Sequence, residues 1–365
     1  MSNSKHALPK GSRVLVTGAN GYIASHVVDQ LLSHGYLVRG TIRAPKPWLS
    51  EYFAQKYGDV FEAVIVTCFE NRDDINRVLD GVDGIIHLIS AALPAAIPWV
   101  VKATTNILES AAGMPSIKRV VLVSSSNGLS MLTPNPNGEV LHESKLILTF
   151  MIDSWSDEAV KAAWDPNTPD ESKGFKTEAE REAWTWPEYT FNTVLPCMTV
   201  ILCKIIGAIT RSADQLHNML EDPSPGDLRF HDGVDPQTIE RRSHGFVVIN
   251  LNATVRALLK INLAEWYVDV EDLARLCAVG LSDPSAQSER IFAFAQQMNW
   301  FDAVSLLQQL RPKNTLIPDV PEENIRGRRD VLPRGRAEEL LRTFYGLPGW
   351  TSIRDSLEKG IEGCE

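Results

Sequence analysis

The sequence lacks an excess of basic residues. Its 365 residues include 36 Lys and Arg against 46 Asp and Glu, which gives a formal net charge of -10 at pH 7. This balance provides no broad positive surface for a nucleic-acid backbone or an anionic membrane. We therefore expect no nucleic-acid partner, although a local basic pocket for a small anion remains compatible with the composition.

Cysteine is scarce, and the cysteines show no spacing typical of a metal site or a disulfide framework. The five cysteines include no C-x-x-C pair, and the eight histidines have no metal-ligand spacing. These absences argue against a disulfide framework and against a zinc site, so we expect free thiols in a reducing compartment and no metal.

Long uninterrupted apolar segments are also absent. The amino terminus is polar, and the longest apolar run, residues 192–210, contains Pro196 and Lys204. A secretory signal or a membrane span would need a longer continuous apolar stretch. We expect a cytoplasmic protein with no membrane partner.

Short apolar runs alternate with helical spacing through the first 200 residues. The patterns predict strands at 14–16, 36–42, 61–66, 84–89, 119–123 and 190–195, and helices at 49–57, 73–79, 95–112 and 176–184. Strands that alternate with helices form a parallel sheet covered on both faces. The predicted fold is therefore α/β, with a Rossmann-type doubly wound sheet.

The rest of the chain has a different pattern. Residues 203–247 form a long irregular segment rich in Pro, Gly, His and Asp, and helical patterns follow at 270–281, 301–310 and 336–344. Long segments of this kind often serve as lids or binding loops. We predict a dinucleotide-binding domain at 1–200 and a smaller α/β substrate-binding and lid region at 201–365, where Asp269 and Asp272 cap and anchor a helix.

A glycine-containing turn follows the first strand. The letters TGANGYIA, residues 17–24, stand between the strand at 14–16 and a helical pattern. The two glycines permit a tight turn and close approach of a pyrophosphate to a helix amino terminus. The spacing is looser than G-x-G-x-x-G, so a simple turn is the alternative, but the strand before it and the helix after it favour dinucleotide binding.

The residues after the second strand favour NADP(H) over NAD(H). An NAD site of this type usually has an acidic residue about 20 positions after the glycines. No acidic residue lies between Asp29 and Glu51, whereas Arg39, Arg43 and Lys46 do. These cations could bind the 2'-phosphate of NADP(H), and the alternative is that they are solvated loop charges.

Motifs along most of the chain carry a family likeness: VTGANGYIASHV, GYLVRGTIR, GIIHLIS, SIKRVVLVSSS, KTEAEREAW, FNTVLP, WYVDVEDLARL and LPRGRAEELL. With them the sequence resembles the extended short-chain dehydrogenase/reductase family of NAD(P)-dependent epimerases and dehydratases, in its fungal aldehyde-reductase-like and dihydroflavonol-reductase-like branch. The resemblance implies an enzyme that acts on a small-molecule substrate, and it is compatible with a homodimer. The cofactor residues it implies, with those read from the turn, are Gly18, Asn20, Gly21, Tyr22, Ile23, Arg43, Lys46, Cys68, Leu88, Ser90, Lys176 and Pro196.

The resemblance also implies a Ser-Tyr-Lys catalytic set, which this sequence does not complete. Ser125 matches the serine, with Ser124 and Ser126 as neighbouring alternatives, and Lys176 matches the lysine. Ser172 occupies the position four residues before the lysine, where the family has its tyrosine.

No register shift restores this tyrosine, because the sequence has none between Tyr57 and Tyr189. One Y-x-x-x-K pair, Tyr52 and Lys56, falls on the helix after the second strand, and we expect it to be structural. A serine hydroxyl is a much poorer acid than a phenol, so the proton donor of the family is missing.

Three functions are compatible with these residues. The first is an atypical NADP(H)-dependent reductase of a small, largely apolar secondary metabolite, which reduces an iminium or a polarised carbonyl, or uses a water as proton donor. The second is a redox-neutral isomerase, dehydratase or cyclase in which His231 and His244 of the predicted lid supply acid or base groups. The third is a dinucleotide sensor or scaffold without catalysis.

Overall fold

The computed structural model describes residues 6–88, 97–124, 147–150, 191–196, 265–298, 300–314, 317 and 328–360. They contain eleven strands within these ranges: β1 (Arg13–Val16), β2 (Leu37–Ile42), β3 (Phe61–Ile65), β4 (Gly84–His87), β5 (Arg119–Val123), β6 (Ile147–Phe150), β7 (Phe191–Pro196), β8 (Glu265–Tyr267), β9 (Arg290–Ala293), β10 (Gln296–Met298) and β11 (Arg328–Val331). Seven of these strands form one parallel sheet in the order β3-β2-β1-β4-β5-β7-β9.

Helices cover both faces of this sheet. The described helices are α1 (Tyr22–Ser33), α2 (Pro47–Tyr57), α3 (Arg72–Leu79), α4 (Ile97–Ala112), α5 (Val270–Ser282), α6 (Trp300–Leu310), α7 (Arg334–Tyr345) and α8 (Ile353–Gly360). Helix α1 packs against α5 on one side, and α3 packs against α4. The predicted doubly wound α/β fold is confirmed.

The central strands are apolar on both faces because each face is covered. Val14 and Val16 of β1 pack into the core that includes α1 and α5, while Leu15 between them packs into the core beneath α3 and α4. All three side chains are fully buried. Their position explains why residues 14–16 of β1 form a continuous apolar run instead of alternating with polar residues.

The strand order reverses between β1 and β4. Strands β2 and β3 extend the sheet on one side of β1, and β4, β5, β7 and β9 extend it on the other. Helices α1 and α4, which come after β1 and β4, pack on opposite faces of the sheet, an arrangement that opens a crevice at its carboxyl edge. In open α/β sheets, ligands bind at such a switch point.

The region after residue 200 contributes to the main sheet. Strand β9 pairs with β7, and α5 packs on α1 and on the sheet. Two smaller sheets join distant segments, an antiparallel pair of β8 and β10 and a parallel pair of β6 and β11. A domain boundary near residue 200 stays a prediction. The region after residue 200 is not separate from the main sheet, because it contributes strand β9.

Most predicted elements differ from the observed ones by one or two residues. Strand β5 has the predicted bounds. Helix α2 begins two residues earlier than predicted, at Pro47, because proline lacks a backbone N–H and the first N–H groups of a helix make no intrahelical hydrogen bond. The predicted strand at 84–89 ends at His87. The predicted helix at 176–184 and the segment 203–247 lie outside the described residues.

Asp269 and Asp272 have the predicted structural roles at α5. The Asp269 carboxylate accepts a hydrogen bond from the N–H of Glu271 at 2.8 Å and caps the helix. Asp272 is fully buried and accepts hydrogen bonds from the Thr351 N–H at 2.7 Å and from Arg275 at 2.6 Å. Asp272 thus ties the segment between α7 and α8 to α5.

Replacing Asp272 with alanine is expected to lower the free energy of unfolding by about 3 kcal/mol, because the Thr351 N–H and the Arg275 guanidinium lose their buried acceptor. Asp272→Asn keeps an acceptor oxygen for Thr351 and is expected to cost about 1 kcal/mol at neutral pH. Chemical denaturation of the two variants measures both values, and equal losses would contradict the assigned contacts.

The difference in stability between the parent protein and Asp272→Asn is expected to depend on pH. Burial raises the pKa of Asp272 above its ordinary value of 3.8, although the Thr351 N–H and Arg275 oppose the rise. The native state then binds the proton more tightly than the unfolded state does. The contribution of this proton binding to the free energy of unfolding is therefore complete below pH 3.8 and declines as pH rises through the native pKa of Asp272. The stability of the parent protein relative to Asp272→Asn is therefore expected to increase as pH falls.

Candidate functional site

The turn between β1 and α1 is open to an anion. Gly18 has a φ of +67°, and the Gly21 N–H donates to the Gly18 carbonyl at 2.8 Å. Helix α1 begins at Tyr22 with Gly21 as its N-cap, so no side chain caps it, and its first turn contains no acidic residue. An uncapped helix amino terminus at the switch point suits the pyrophosphate of a dinucleotide.

Thr41 of β2 fixes the position of this turn. Its hydroxyl accepts a hydrogen bond from the Gly18 N–H at 3.0 Å, and its carbonyl accepts one from the Ala19 N–H at 2.9 Å. The turn lies close to β2 because Gly40 has no side chain. A Cβ at Gly40 would stand 2.5 Å from the Ala19 Cβ and 2.8 Å from the Phe61 ring.

One predicted cation at the end of β2 is available for a ligand and another is not. Arg43 is exposed directly after β2. The guanidinium of Arg39 instead binds Glu62 at 2.8 Å and the carbonyls of Val78 and Asp80 at 2.8 and 2.7 Å. The prediction that Arg39 belongs to the phosphate-binding cations is therefore wrong, because its contacts hold β2, β3 and the end of α3 together.

Lys46 and Cys68 lie near the same end of the crevice. Lys46 is the half-buried N-cap residue of α2. Cys68 follows β3, is partly exposed, and its Sγ lies 3.7 Å from a carboxylate oxygen of Glu70. These positions are compatible with the adenosine end of a dinucleotide, and the binding roles of both residues stay predictions.

The other side of the crevice is formed by the ends of β4, β5 and β7. Leu88 directly follows β4, Ser124 is buried directly after β5, and Pro196 is the last residue of β7. Because these strands are parallel and adjacent, the three residues share the carboxyl edge of the sheet.

Several predicted site residues lie outside the described residues: Ser90, Ser125, Ser126, Ser172, Lys176, His231 and His244. Their roles remain predictions that rest on the sequence and on its family resemblance.

The Tyr52 and Lys56 pair is structural, as predicted. Both residues lie on α2, and Tyr52 packs against the core on the α1 side. The Lys56 ammonium binds the Asp29 carboxylate at 2.7 Å, and the Tyr57 hydroxyl donates to the same oxygen at 3.0 Å. This cluster joins α2 to α1.

The sequence interpretation did not single out the polar residues that hold the crevice in shape. Thr17 and Thr41 are almost completely buried beside the glycine turn, and His87 is buried at the end of β4. A signal for His87 was present, since a histidine ends the otherwise apolar strand letters GIIH.

Within the described ranges, no group of three or more His, Cys, Asp or Glu side chains could hold a metal ion. No helix in that part of the chain is both long enough and apolar enough to span a membrane.

Comparison with known proteins identifies the family. The model of the NAD dependent epimerase/dehydratase family matches residues 14–147, which include the glycine turn and the switch point. A ketoreductase of Aspergillus novofumigatus is 35% identical to this chain, and the alignment covers 99% of both proteins. The chain belongs to the NAD dependent epimerase/dehydratase family. This membership confirms the recognised family and the predicted enzyme class.

Other members agree with this assignment along the whole length. Aldehyde reductase 2 of Sporidiobolus salmonicolor is 31% identical, with 98% of this chain and 97% of the relative covered. Among solved structures, the yeast methylglyoxal/isovaleraldehyde reductase Gre2 in complex with NADPH superimposes with a TM-score of 0.62 at 20% identity, covering 96% of this chain and 97% of that chain. The likeness in fold thus extends beyond the residues that the family model matches.

Proposed function

We propose that this member of the epimerase/dehydratase family is an NADP(H)-dependent reductase of a small, largely apolar metabolite. The observation that carries the proposal is the glycine turn at the switch point, where Gly18 and the uncapped α1 leave an anion-binding helix end and Arg43 stands exposed beside it. Its relatives, named as a ketoreductase and an aldehyde reductase, support reduction as the reaction.

The preference for NADP(H) rests on charge at the end of β2. Arg43 and Lys46 follow this strand, and the nearest acidic residue of the connection is Glu51, already within α2. An acidic side chain here would bind a free ribose hydroxyl and repel a 2'-phosphate, whereas a guanidinium binds the phosphate through charge-assisted hydrogen bonds.

The catalytic roles follow from the family resemblance. When bound, the nicotinamide supplies a hydride. Ser125 is proposed to donate a hydrogen bond to the substrate oxygen, and Lys176 to bind the nicotinamide ribose. Ser172 replaces the tyrosine and cannot itself protonate an alkoxide efficiently, so we propose that a water next to Ser172 donates the proton, or that the substrate is an iminium or a strongly polarised carbonyl.

Arg43→Ala is expected to raise the Kd of NADPH by about 10- to 100-fold and to change the Kd of NADH less than about twofold, because only NADPH carries the 2'-phosphate. Arg39→Met is the matched control. This substitution removes a guanidinium on β2 whose contacts with Glu62 and Val78 are structural. It is therefore expected to lower thermal stability without changing the ratio of the two Kd values. If Arg39→Met changed the ratio of the NADPH and NADH Kd values and Arg43→Ala did not, Arg39 and not Arg43 would bind the 2'-phosphate.

Hydride transfer is tested by incubating the protein with NADPH and isovaleraldehyde or methylglyoxal and following the loss of nicotinamide absorbance alongside product formation. The proposal expects oxidation of NADPH in equal amount to reduced product. Product formed from a substrate without oxidation of NADPH would instead support a redox-neutral reaction.

A further inference from the structure

A buried polar cluster lies directly beneath the crevice. Thr17, His87 and Thr104 have exposed fractions of 0%, 4% and 5%. Thr17 follows β1, His87 ends β4, and Thr104 lies on α4, which packs over the sheet. The cluster therefore joins the two strands of the switch point to a covering helix, and the functional proposal above makes no use of it.

The hydrogen bonds around His87 assign the tautomer of its neutral imidazole. The Thr104 hydroxyl donates its single hydrogen to the Val100 carbonyl at 2.9 Å, so its oxygen accepts from Nε2 of His87 at 3.3 Å. In a neutral imidazole Nδ1 is then the acceptor. It receives the Thr17 hydroxyl hydrogen, at an Oγ1 to Nδ1 distance of 3.3 Å.

Thr17 connects His87 to the backbone that lines the ligand crevice. Its oxygen accepts a hydrogen bond from the Leu88 N–H at 2.8 Å, while its own backbone N–H donates to the Ile86 carbonyl at 3.1 Å. The next residue, Gly18, is held from the β2 side by the Thr41 hydroxyl. The glycine turn is thus fixed by polar contacts to both neighbours of β1.

We propose that His87 is a positioning residue for the dinucleotide. Acting through Thr17, its neutral Nε2–H form holds the Leu88 backbone and the glycine turn at a fixed separation, so that both sides of the crevice are ordered before the ligand binds. This proposal rests on the proposed function, because it assumes that the crevice binds NADPH. The benefit is preorganisation, since a crevice that is already ordered loses less conformational entropy on binding.

The experiment compares four variants by calorimetry with NADPH. His87→Phe keeps a ring of similar size without nitrogen atoms and is expected to raise the Kd about 10-fold. In His87→Asn, the amide oxygen stands near the place of Nδ1 and can accept from Thr17, so most of the affinity should return. Thr17→Val is expected to match His87→Phe. Thr104→Val keeps both the bond between Thr17 and His87 and the bond between Thr17 and Leu88, so its Kd should stay within about threefold of the parent value.

A second readout needs no ligand. The exchange rate of the Leu88 amide hydrogen in the ligand-free protein is expected to rise at least about 10-fold in Thr17→Val and in His87→Phe, and to change little in Thr104→Val. Thermal unfolding of the two Thr→Val variants provides the control for stability, since each loses one buried hydroxyl.

The outcomes separate this proposal from the proposed function. If the parent protein binds NADPH and all four variants bind it equally well, His87 has only a structural role and the proposal is wrong. The same holds if affinity falls in proportion to thermal stability in both Thr→Val variants. If the parent protein binds no NADPH, the proposed function fails and this inference fails with it, whatever the exchange rates.

Discussion

Replacing Ser172 with tyrosine is expected to increase kcat for NADPH-dependent reduction of isovaleraldehyde by about 10²- to 10⁴-fold, the usual contribution of a positioned general acid. The substitution restores a phenol four residues before Lys176, the spacing that the family resemblance implies. A neighbouring ammonium lowers the pKa of a phenol and favours proton transfer at neutral pH, whereas a serine hydroxyl has no accessible pKa.

Two controls isolate the phenol from its ring. Ser172→Phe adds the ring without the hydroxyl and is expected to leave kcat near or below the parent value. Combining Ser172→Tyr with Lys176→Met should remove the gain, since the phenol then lacks its cationic neighbour. If Ser172→Tyr and Ser172→Phe have the same kcat, Ser172 does not occupy the position of the proton donor. Steady-state kinetics at fixed NADPH measures all four proteins.

Gly18→Ala is expected to raise the Kd of NADPH by roughly 100-fold, the equivalent of losing one or two charge-assisted hydrogen bonds to the pyrophosphate. Gly18 has a φ of +67°, which an alanine adopts only with strain, so the turn shifts and its N–H groups move. A Cβ at Gly18 meets no atom of the chain within 4 Å and would enter the open side of the turn, where we propose that the pyrophosphate lies.

Gly35→Ala is the matched control for this substitution. Gly35 also has a positive φ, +85°, and a Cβ there has ordinary contact with Lys10 at 3.8 Å. It lies after the carboxyl end of α1, away from the crevice. Both variants are expected to lose about 1 to 2 kcal/mol of stability, but only Gly18→Ala should lose NADPH affinity. Equal Kd values for the two variants would contradict a pyrophosphate site at this turn.

The sequence predicted the sheet well because its signals are local. Strand β5 begins with Arg119 and is apolar at its four other positions, since both faces of a central parallel strand are buried, and its bounds were predicted correctly. The glycine turn was recognised because its letters stand between a strand and an amphipathic helix. Both features can be predicted from residues that are adjacent in the sequence.

The parts of the site that sequence reasoning missed depend on contacts between distant residues. Arg39 lies on β2 and Arg43 directly follows that strand, and only the contacts of the Arg39 guanidinium with Glu62 and Val78 distinguish the two arginines. His87 and Thr104 meet because α4 crosses over β4. The proposed roles of Ser125, Ser172 and Lys176 come from resemblance and stay predictions.

The most direct test of the central claim is a calorimetric titration of the purified protein with NADPH and, separately, with NADH. A dinucleotide site at the switch point with Arg43 beside it predicts saturable binding of one NADPH per chain, at least about 10-fold tighter than NADH. Absence of binding for both nucleotides would contradict the claim and would mean that this crevice no longer serves a dinucleotide.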